Sequence, residues 1–303
     1  MESQGGLSVE RMCGLAQISR ASFYRQWERQ AIQSLDQELR DLIQRTALRH
    51  PCYGYRKIAA ALRWQGRPVN AKKVRRLMHE DNLLANRKRK FVHTTDSDHD
   101  FLVYPNLAKN LVLSDINQLW VADITYVRLK EEFVYLAVVL DAYSRRVVGW
   151  ELDRTLESRL ALAALERAIA ARQPRPGLVH HSDRGVQYAS NEYVERLEGI
   201  AAILSMSRPG RPWENGKCER FMRTLKEEEI DARPYRNLEE LAQNVEEFIE
   251  TIYNRERLHA ALGYRTPVEF EQQHQVRPES AGWMPAGLSL SRHEEIYPDA
   301  SGD

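Results

Sequence analysis

A short apolar segment of the sequence ends in a dense polar cluster. Within Val179–Tyr188, two histidines, a serine, an aspartate and an arginine follow one another directly. Asp183 comes at the end of the predicted strand, and Gly185 allows the backbone to turn sharply after it. Because ligands of open α/β sheets bind at the carboxyl ends of strands, this cluster predicts a functional cleft at the edge where the strand ends.

Two further carboxylates are candidates for the same cleft. Asp123 lies in the middle of the apolar stretch Leu119–Leu129, where strand propensity and the cost of burial disfavour an aspartate unless something pairs with it. Glu219 lies at the margin of the apolar face of a predicted helix, from where it can point into the cleft. Three carboxylates with few imidazole or thiolate ligands favour Mg²⁺ or Mn²⁺. Two such ions about 3.5–4 Å apart promote phosphodiester displacement.

Other residues in these stretches fit other chemistries less well. His180 and His181 are adjacent on a strand and therefore point to opposite faces, so at most one of them enters the cleft as a zinc ligand. Ser182 lacks the nucleophile elbow and the oxyanion arrangement of a serine hydrolase. Cys218 is more typical of a packed small side chain than of a nucleophile. Ordinary surface acids are the alternative interpretation of the carboxylates.

The central part of the sequence combines strand and helix patterns. Three apolar segments separated by short turns indicate an antiparallel meander, and alternating helices and strands follow. The predicted order β-β-β-α-β-α-β-α indicates a mixed sheet covered by helices. The predicted segments are strands at Leu119–Leu129, Phe133–Leu140, Val147–Leu152, Val179–Asp183 and Ala201–Met206, and helices at Leu156–Arg172, Asn191–Leu197, about Gly216–Glu229 and Leu238–Glu256.

The N-terminal third is predicted to be helical throughout. Helices are expected from Leu7 to Ala16 and over Arg20–Trp27. A second pair, Tyr55–Trp64 and Ala71–His79, is joined by a turn whose last residue, Asn70, is a helix cap. Both pairs resemble helix-turn-helix units.

Charge is divided unevenly along the chain, although the net charge is only +1. Residues 1–90 contain 19 Lys and Arg against 8 Asp and Glu, and the other 213 residues contain 25 against 35. Such a division is typical of a nucleic-acid-binding module followed by a carboxylate-rich catalytic domain. Solvated helical faces are the alternative explanation.

The cations predicted to contact DNA form two groups. One group lies on the outer face of the helix after Asn70, and the other lies on the loop and helix around Glu219. The predicted DNA-binding residues are Lys72, Lys73, Arg75, Arg76, Arg208, Arg211, Lys217, Arg220, Arg223 and Lys226.

Composition narrows the class of protein further. No apolar run reaches the roughly 18 residues of a membrane span, and the N-terminus lacks the pattern of a signal peptide. The three cysteines are widely spaced, which argues against a disulfide framework and a thiolate zinc site. We therefore expect a cytoplasmic protein with reduced thiols.

The spacing of the acids identifies a family resemblance. The second and third acids, Asp183 and Glu219, are separated by 35 residues. The surrounding blocks resemble the D-D-E catalytic core of bacterial insertion-sequence transposases of the OrfB type, relatives of retroviral integrases. These blocks are Trp120–Tyr126, His181–Tyr188 and Glu214–Phe221.

The resemblance extends over about residues 35–272. It includes His50–Ile58 and Val69–Leu77 before the core, and Tyr253–Asn254 and His259–Phe270 near its end. Departures are few: Glu214 replaces a common Asp, Gly216 a common Ala, Arg220 a common Ser, and Leu258 a common Pro. Glu214 is therefore the alternative third ligand, and Trp213 is either a core residue or a contact to DNA bases.

The resemblance implies a fold, an activity and partners. It assigns metal binding to Asp123, Asp183 and Glu219 and implies a ribonuclease-H-like α/β core preceded by an all-α helix-turn-helix region. The implied activity is cleavage of DNA at element ends and joining of the 3′-hydroxyl to a target strand. The implied cofactors are two Mg²⁺ or Mn²⁺ ions. The implied partners are double-stranded DNA, further copies of the chain on paired ends, and an upstream OrfA product or fusion, with the nucleoid as the place of action.

The expected layout has four parts. It comprises a helix-turn-helix DNA-binding region over residues 1–84, a linker over 85–115, the catalytic core over 116–272 and a loosely held tail over 273–303.

Two alternative functions remain open at this point. One is a metal-dependent nuclease of the same fold that cuts without joining. The other is a DNA-binding repressor with an inactive core.

Overall fold

The structure is a computed structural model that describes residues 8–83, 103–130, 132–208 and 211–275. The chain divides into two compact units, Met1–Arg87 and Lys88–Asp303. Most of the expected linker and nearly all of the expected tail lie outside the described residues. No helix within the described ranges is long and apolar enough to cross a membrane.

The first unit is helical, as predicted. Its helices are α1 (Val9–Leu15), α2 (Arg20–Arg49), α3 (Tyr55–Trp64) and α4 (Ala71–Glu80). The N-caps of α1 and α4 are the side chains of Ser8 and Asn70, which accept from the amides of Arg11 and Lys72. These contacts satisfy amides that have no partner within the helix.

Helix α2 is much longer than the predicted segment Arg20–Trp27. Residues 28–49 contain neither glycine nor proline, so no residue in this stretch interrupts the helix. The helix ends at Arg49, two residues before Pro51, because a proline disfavours helical geometry in the residue that precedes it.

Helices α3 and α4 bury one face each and leave their cations outside. Ile58, Leu62, Val74 and Leu77 are fully buried. This packing follows the apolar spacing of the sequence, since residues three and four positions apart share a helix face. The guanidinium of Arg40 on α2 pairs with acids at the end of α4 and ties the two helices together.

The second unit is built on a five-stranded mixed sheet in the order β3-β2-β1-β4-β5. The first three strands are antiparallel, and β4 and β5 continue the sheet parallel to β1. This topology confirms the predicted ribonuclease-H-like mixed sheet. The strands are β1 (Leu119–Arg128), β2 (Phe133–Asp141), β3 (Val147–Asp153), β4 (Val179–Ser182) and β5 (Ile203–Met206).

Helices cover both faces of the sheet. On one face pack α5 (Ser158–Arg172), α6 (Val186–Ala189) and α7 (Asn191–Glu198). On the other face pack α8 (Gly216–Leu225), α9 (Leu238–Glu246) and the π-helical segment Glu247–Glu256. The remaining elements of the described chain are the 3₁₀ turns Pro212–Asn215 and Ala260–Leu262, the π-helical turn Lys226–Ile230 and the helix α10 (Pro267–Gln275).

Strand β1 contributes side chains to both cores. Leu119, Val121 and Val127 belong to the cluster beneath α8, whereas Trp120 and Ala122 belong to the cluster beneath α5. Because side chains alternate along a strand, the odd-numbered positions of β1 face α8. Asp123 therefore shares the face that α8 covers.

The last part of the expected linker packs on the sheet of the second unit. Tyr104 is buried against the α5 side of the sheet, and Leu107 and Leu111 pack on the α8 side. The amide of Leu107 donates to Ser205 Oγ at 2.9 Å. These contacts join residues near 103–113 to the sheet, although the polar composition of the preceding stretch suggested a linker up to residue 115.

Candidate active site

Asp123 lies within β1, and Asp183 directly follows β4, the strand beside it. Strands β1 and β4 are parallel, with Val121 opposite His181. Each aspartate lies two residues further along, beyond the last paired residues of β4. The two carboxylates therefore meet at the carboxyl end of the parallel pair, where the sequence predicted a cleft.

Gly185 fits closely behind Asp183. Its amide donates to Asp183 Oδ1 at 2.9 Å, and a Cβ at this position would lie 3.1 Å from the same oxygen. Its φ of −64° is one that any residue adopts. The expected turn therefore does not require a glycine at position 185. The glycine instead leaves space beside the Asp183 carboxylate.

Glu219 lies on α8, the helix that covers the Asp123 face of the sheet. Phe221 and Leu225 of α8 are fully buried and anchor the helix. The side chain of Glu219 is one-third exposed, and its Oε1 lies 3.3 Å from a guanidinium nitrogen of Arg223, one turn later. The helix thus places the third acid above the aspartate pair, with its carboxylate directed toward Arg223.

The electrostatics of Asp123 show that the three acids share one region. Burial, followed by the negative charges of Asp183 and Glu219, raises the pKa of Asp123 to about 8. The amide of Ile124 and the ammonium of Lys226 act in the opposite direction. Neighbouring carboxylates that raise the pKa of one of their members are an electrostatic setting that a divalent cation would stabilise.

The side chains are not arranged as a closed metal cage. Across the described ranges, no group of three or more His, Cys, Asp or Glu side chains is gathered as a metal-binding cluster. The donors nonetheless suit the expected ion, since all three are carboxylates and hard cations prefer oxygen. Rotation of the Glu219 side chain away from Arg223 would be needed to bring the third acid to the aspartates.

Glu214 is engaged in a different contact, which we call the Glu214 clamp. Its carboxylate accepts two hydrogen bonds from the guanidinium of Arg208, at 2.9 and 2.5 Å, and one from the amide of Arg208. Asn106 Nδ2 donates to it at 2.7 Å. The bonds from Arg208 lower the pKa of Glu214 to about 2. The carboxylate is 4% exposed and holds the two ends of the loop together.

Two polar side chains near the aspartates were not recognised from the sequence. Asn215 Nδ2 donates to the carbonyl of Ala122 at 2.8 Å and so ties the start of α8 to the residue before Asp123. Asn215 Oδ1 and the Tyr188 hydroxyl are buried and have no hydrogen-bond partner within the described chain. The signal for Asn215 was its position just before a helix, which is also typical of an ordinary cap.

The histidines next to Asp183 are structural. Tyr193 bonds with His180 Nε2 at 3.0 Å, and Ser205 and Ser207 bond with the two ring nitrogens of His181 at 2.8 and 3.0 Å. Burial lowers the pKa of His180 to about 3 and that of His181 to about 4, so both rings are neutral at physiological pH.

Cys218 is fully buried in the core beneath α8. Burial raises the pKa of its thiol, which disfavours the reactive thiolate.

The cations of α8 are distributed around the acids. Lys226 Nζ lies 4.8 Å from the centre of the Tyr126 ring, and its charge acts on Asp123. Arg220 is exposed, whereas Lys217 and Arg223 are half-buried. Burial, followed by the charge of Arg145, lowers the pKa of Lys217 to about 8.

On the loop before α8, Arg208 is committed to Glu214, and Arg211 is exposed with its guanidinium 4.0 Å from the same carboxylate. Trp213 is 65% exposed, so it is not a core residue.

The cations of α4 lie outside the core of the first unit. Lys72, Arg75 and Arg76 are exposed and Lys73 is half-buried. The guanidinium of Arg75 lies 5.7 Å from the centre of the Tyr55 ring. The helix therefore has the basic outer face that the sequence predicted.

Comparison with known proteins identifies the family. Two family models, each described as an integrase core domain, match residues 114–212 and 201–267, and a third, described as an HTH-like domain, matches residues 34–91. Among solved structures, the HTLV-2 integrase catalytic core domain in complex with magnesium (dimeric form) is 20% identical, with a TM-score of 0.41, over 52% of this chain and 97% of that chain.

Curated relatives are similar over most of the chain. The transposase for insertion sequence element IS904 of Lactococcus lactis subsp. lactis (strain IL1403) is 36% identical over 73% of this chain and 87% of that protein. The transposase InsF for insertion sequence IS3A of Escherichia coli (strain K12) is 33% identical over 89% of this chain and 96% of that protein. The chain therefore belongs to the family of insertion-sequence transposases with an integrase core domain.

Proposed function

We propose that this transposase cleaves phosphodiester bonds at the ends of its insertion sequence and joins the resulting 3′-hydroxyl to a target strand. Asp123, Asp183 and Glu219 are the proposed catalytic residues and metal ligands. The main support is the position of the two aspartates just beyond the C-terminal end of the β1–β4 pairing, with Asp123 within electrostatic reach of Asp183 and Glu219.

The proposed cofactor is Mg²⁺ or Mn²⁺, in two copies held by these carboxylates. When bound, such ions lower the pKa of the attacking hydroxyl or water and stabilise the leaving oxygen. The chain itself positions the acids: β1 and β4 hold the aspartates side by side, Gly185 leaves room for Asp183, and Asn215 fastens α8 to β1.

The proposed partners follow from the charges and the family. Double-stranded DNA is the expected ligand of the basic face of α4 and of the cations around α8, since phosphates favour such surfaces. We further propose that copies of the chain assemble on paired element ends and act at the nucleoid. An upstream OrfA product, separate or fused, is a second proposed partner.

The test compares two glutamates that are five positions apart. Glu219→Gln keeps the size of the side chain and removes its charge, so the variant should fold and bind element ends while cleavage and strand transfer fall by several orders of magnitude. Asp123→Asn and Asp183→Asn should behave in the same way, because a two-metal site fails when one ligand is lost. Cleavage and joining are measured on labelled end duplexes with Mg²⁺.

Glu214→Gln is the matched control. Its carboxylate is bound to Arg208 and Asn106, so the variant should retain measurable chemistry. An active Glu219→Gln together with an inactive Glu214→Gln would show that the third ligand is Glu214.

The same assays test the two alternative functions. A pre-cleaved end that gives no joined product would indicate a nuclease. Wild-type protein that binds ends without cleaving them would indicate a repressor.

A further inference from the structure

A groove of about 620 Å³ runs from Asp183 along the hairpin formed by β1 and β2. Its lining includes Tyr126, Phe133, Leu156 and Val186. The volume lies within the roughly 300–1,000 Å³ of pockets that bind small organic groups. The groove is therefore large enough to accept a nucleotide base next to the proposed catalytic acids.

The lining of the groove is unusually apolar for an exposed surface. Phe133 is 49% exposed, and Leu156 and Val186 are also among the exposed large apolar side chains of the described chain. Single apolar residues on a surface are ordinary, but several that line one concave site indicate a binding surface. Phe133 packs edge-on against Tyr126, with ring centres 5.8 Å apart, and about half of Phe133 remains exposed.

Cations accompany these aromatic rings. The guanidinium of Arg128 lies 5.7 Å from the centre of the Phe133 ring, and Lys226 Nζ lies 4.8 Å from the centre of the Tyr126 ring. Rings that stack with bases, together with cations that contact the backbone, are the combination that binds single-stranded nucleic acid.

We propose that this groove binds an unpaired DNA base adjacent to the reacting phosphate, with the base stacked on Phe133 and the flanking backbone near Arg128 and Lys226. This inference rests on the proposed function, because Asp183 at the end of the groove is one of the proposed metal ligands. Stacking does not distinguish strongly among bases, so the site would accept the strand without reading its sequence.

The test is a binding measurement in metal-free buffer, where no cleavage occurs. The probes are two element-end duplexes with a short single-stranded overhang, one containing thymines and the other abasic at the same positions. Wild-type protein should bind the thymine probe about tenfold more tightly, as expected for stacking of one base. Phe133→Ala should bring this ratio close to one, whereas Phe133→Trp should preserve it.

Val112→Ala is the control for loss of an exposed apolar side chain outside the groove, since Val112 is 84% exposed. It should leave the ratio unchanged. Equal binding of both probes by wild-type protein, or an unchanged ratio in Phe133→Ala, would overturn the proposal. If Phe133→Ala instead dissociated a dimer in sedimentation while the ratio persisted, the groove would hold a second copy of the chain and the proposal would be wrong. Failure of wild-type cleavage with Mg²⁺ would refute the proposed function without altering this ratio.

Discussion

At the scale of single residues, the carboxylates of the site differ in how their charges are compensated. Asp123 is surrounded by protein and by other acids, so its pKa rises to about 8. Glu214 is bound by Arg208, so its pKa falls to about 2. A buried acid whose pKa is raised by neighbouring acids is a candidate metal ligand, whereas Glu214, which is bound by Arg208, holds the loop.

The raised pKa of Asp123 predicts a stability effect in metal-free protein. Its folded pKa exceeds the ordinary value of 3.8, so the folded state holds the proton more tightly and stability falls as pH rises from about 4 to 8. Asp123→Asn removes this loss and still offers an oxygen to the Ile124 amide. At pH 9 the variant should be more stable by roughly 1–3 kcal/mol. Urea denaturation with a chelator measures this, and equal or lower stability would contradict it.

The lowered pKa of Glu214 predicts the opposite pH dependence. Its ionised form contributes stability above the ordinary value of 4.5, and this contribution is lost as pH falls from there toward 2. Glu214→Gln should therefore be less stable than wild type at pH 7, by about 1–2 kcal/mol. The difference should shrink at pH 3. Thermal unfolding of both proteins at pH 7 and pH 3 measures this. An equal stability difference at the two pH values would show that the Glu214 clamp does not depend on the charge.

At the scale of elements, the site depends on helices packed closely on both faces of the sheet. Helix α5 lies so near β3 that a Cβ on Gly149 would be 2.2 Å from the Ala164 carbonyl oxygen and 2.7 Å from the Ala168 amide nitrogen. The opposite face is held by the anchored α8 and by the bond from Asn215 to β1. The position of β1, and with it Asp123, thus depends on contacts far from the acids.

Gly149→Ala should accordingly be severely destabilising. Both nearby atoms belong to the backbone of α5, so the helix must move as a whole, and we expect a loss of about 3 kcal/mol or more. Gly216→Ala is the matched control, because a Cβ at that position meets nothing within 4 Å. It should be neutral or slightly stabilising. Denaturation midpoints of the two variants measure the difference, and a tolerated Gly149→Ala would show that α5 shifts easily.

At the scale of the whole molecule, the basic and acidic parts of the sequence belong to different units. The excess of Lys and Arg lies within residues 1–90, and the proposed catalytic acids lie in the second unit. This separation allows one surface to hold DNA by its phosphates while another performs chemistry on it.

Salt dependence tests that division. Lys72→Ala and Arg75→Ala each remove an exposed cation from α4. If each variant loses one phosphate contact, the slope of log DNA affinity against log salt concentration should become less steep by about 0.9. Arg154→Ala, in the second unit, removes a cation that pairs with Glu132 and should leave the slope unchanged. Titration of an end duplex at several salt concentrations gives the slopes. Equal slopes in wild type and the α4 variants would place the phosphate contacts elsewhere.

Much of the fold was predictable because it depends on local patterns. Alternating apolar residues located β1, a continuous apolar run located β2, and the short turn after it located β3. The cap at Asn70 located the start of α4. Asp123 was identifiable since a charged residue inside an apolar strand conflicts with the local pattern. The predicted end of α2 was wrong. The helix continues from Trp27 to Arg49 because no glycine or proline interrupts it.

The sequence by itself determined the residue types at the site, their spacing and the elements on which they lie. Only the tertiary structure decided their partners. Glu214 and Glu219 are alike in a sequence, but Asn106, which bonds to Glu214, is 108 positions away. Exposure of Trp213 and the bond from Asn215 to Ala122 likewise depend on how distant segments meet. A pattern of neighbouring residues reports local propensity, whereas the compensation of a buried charge is set by contacts between elements remote in the chain.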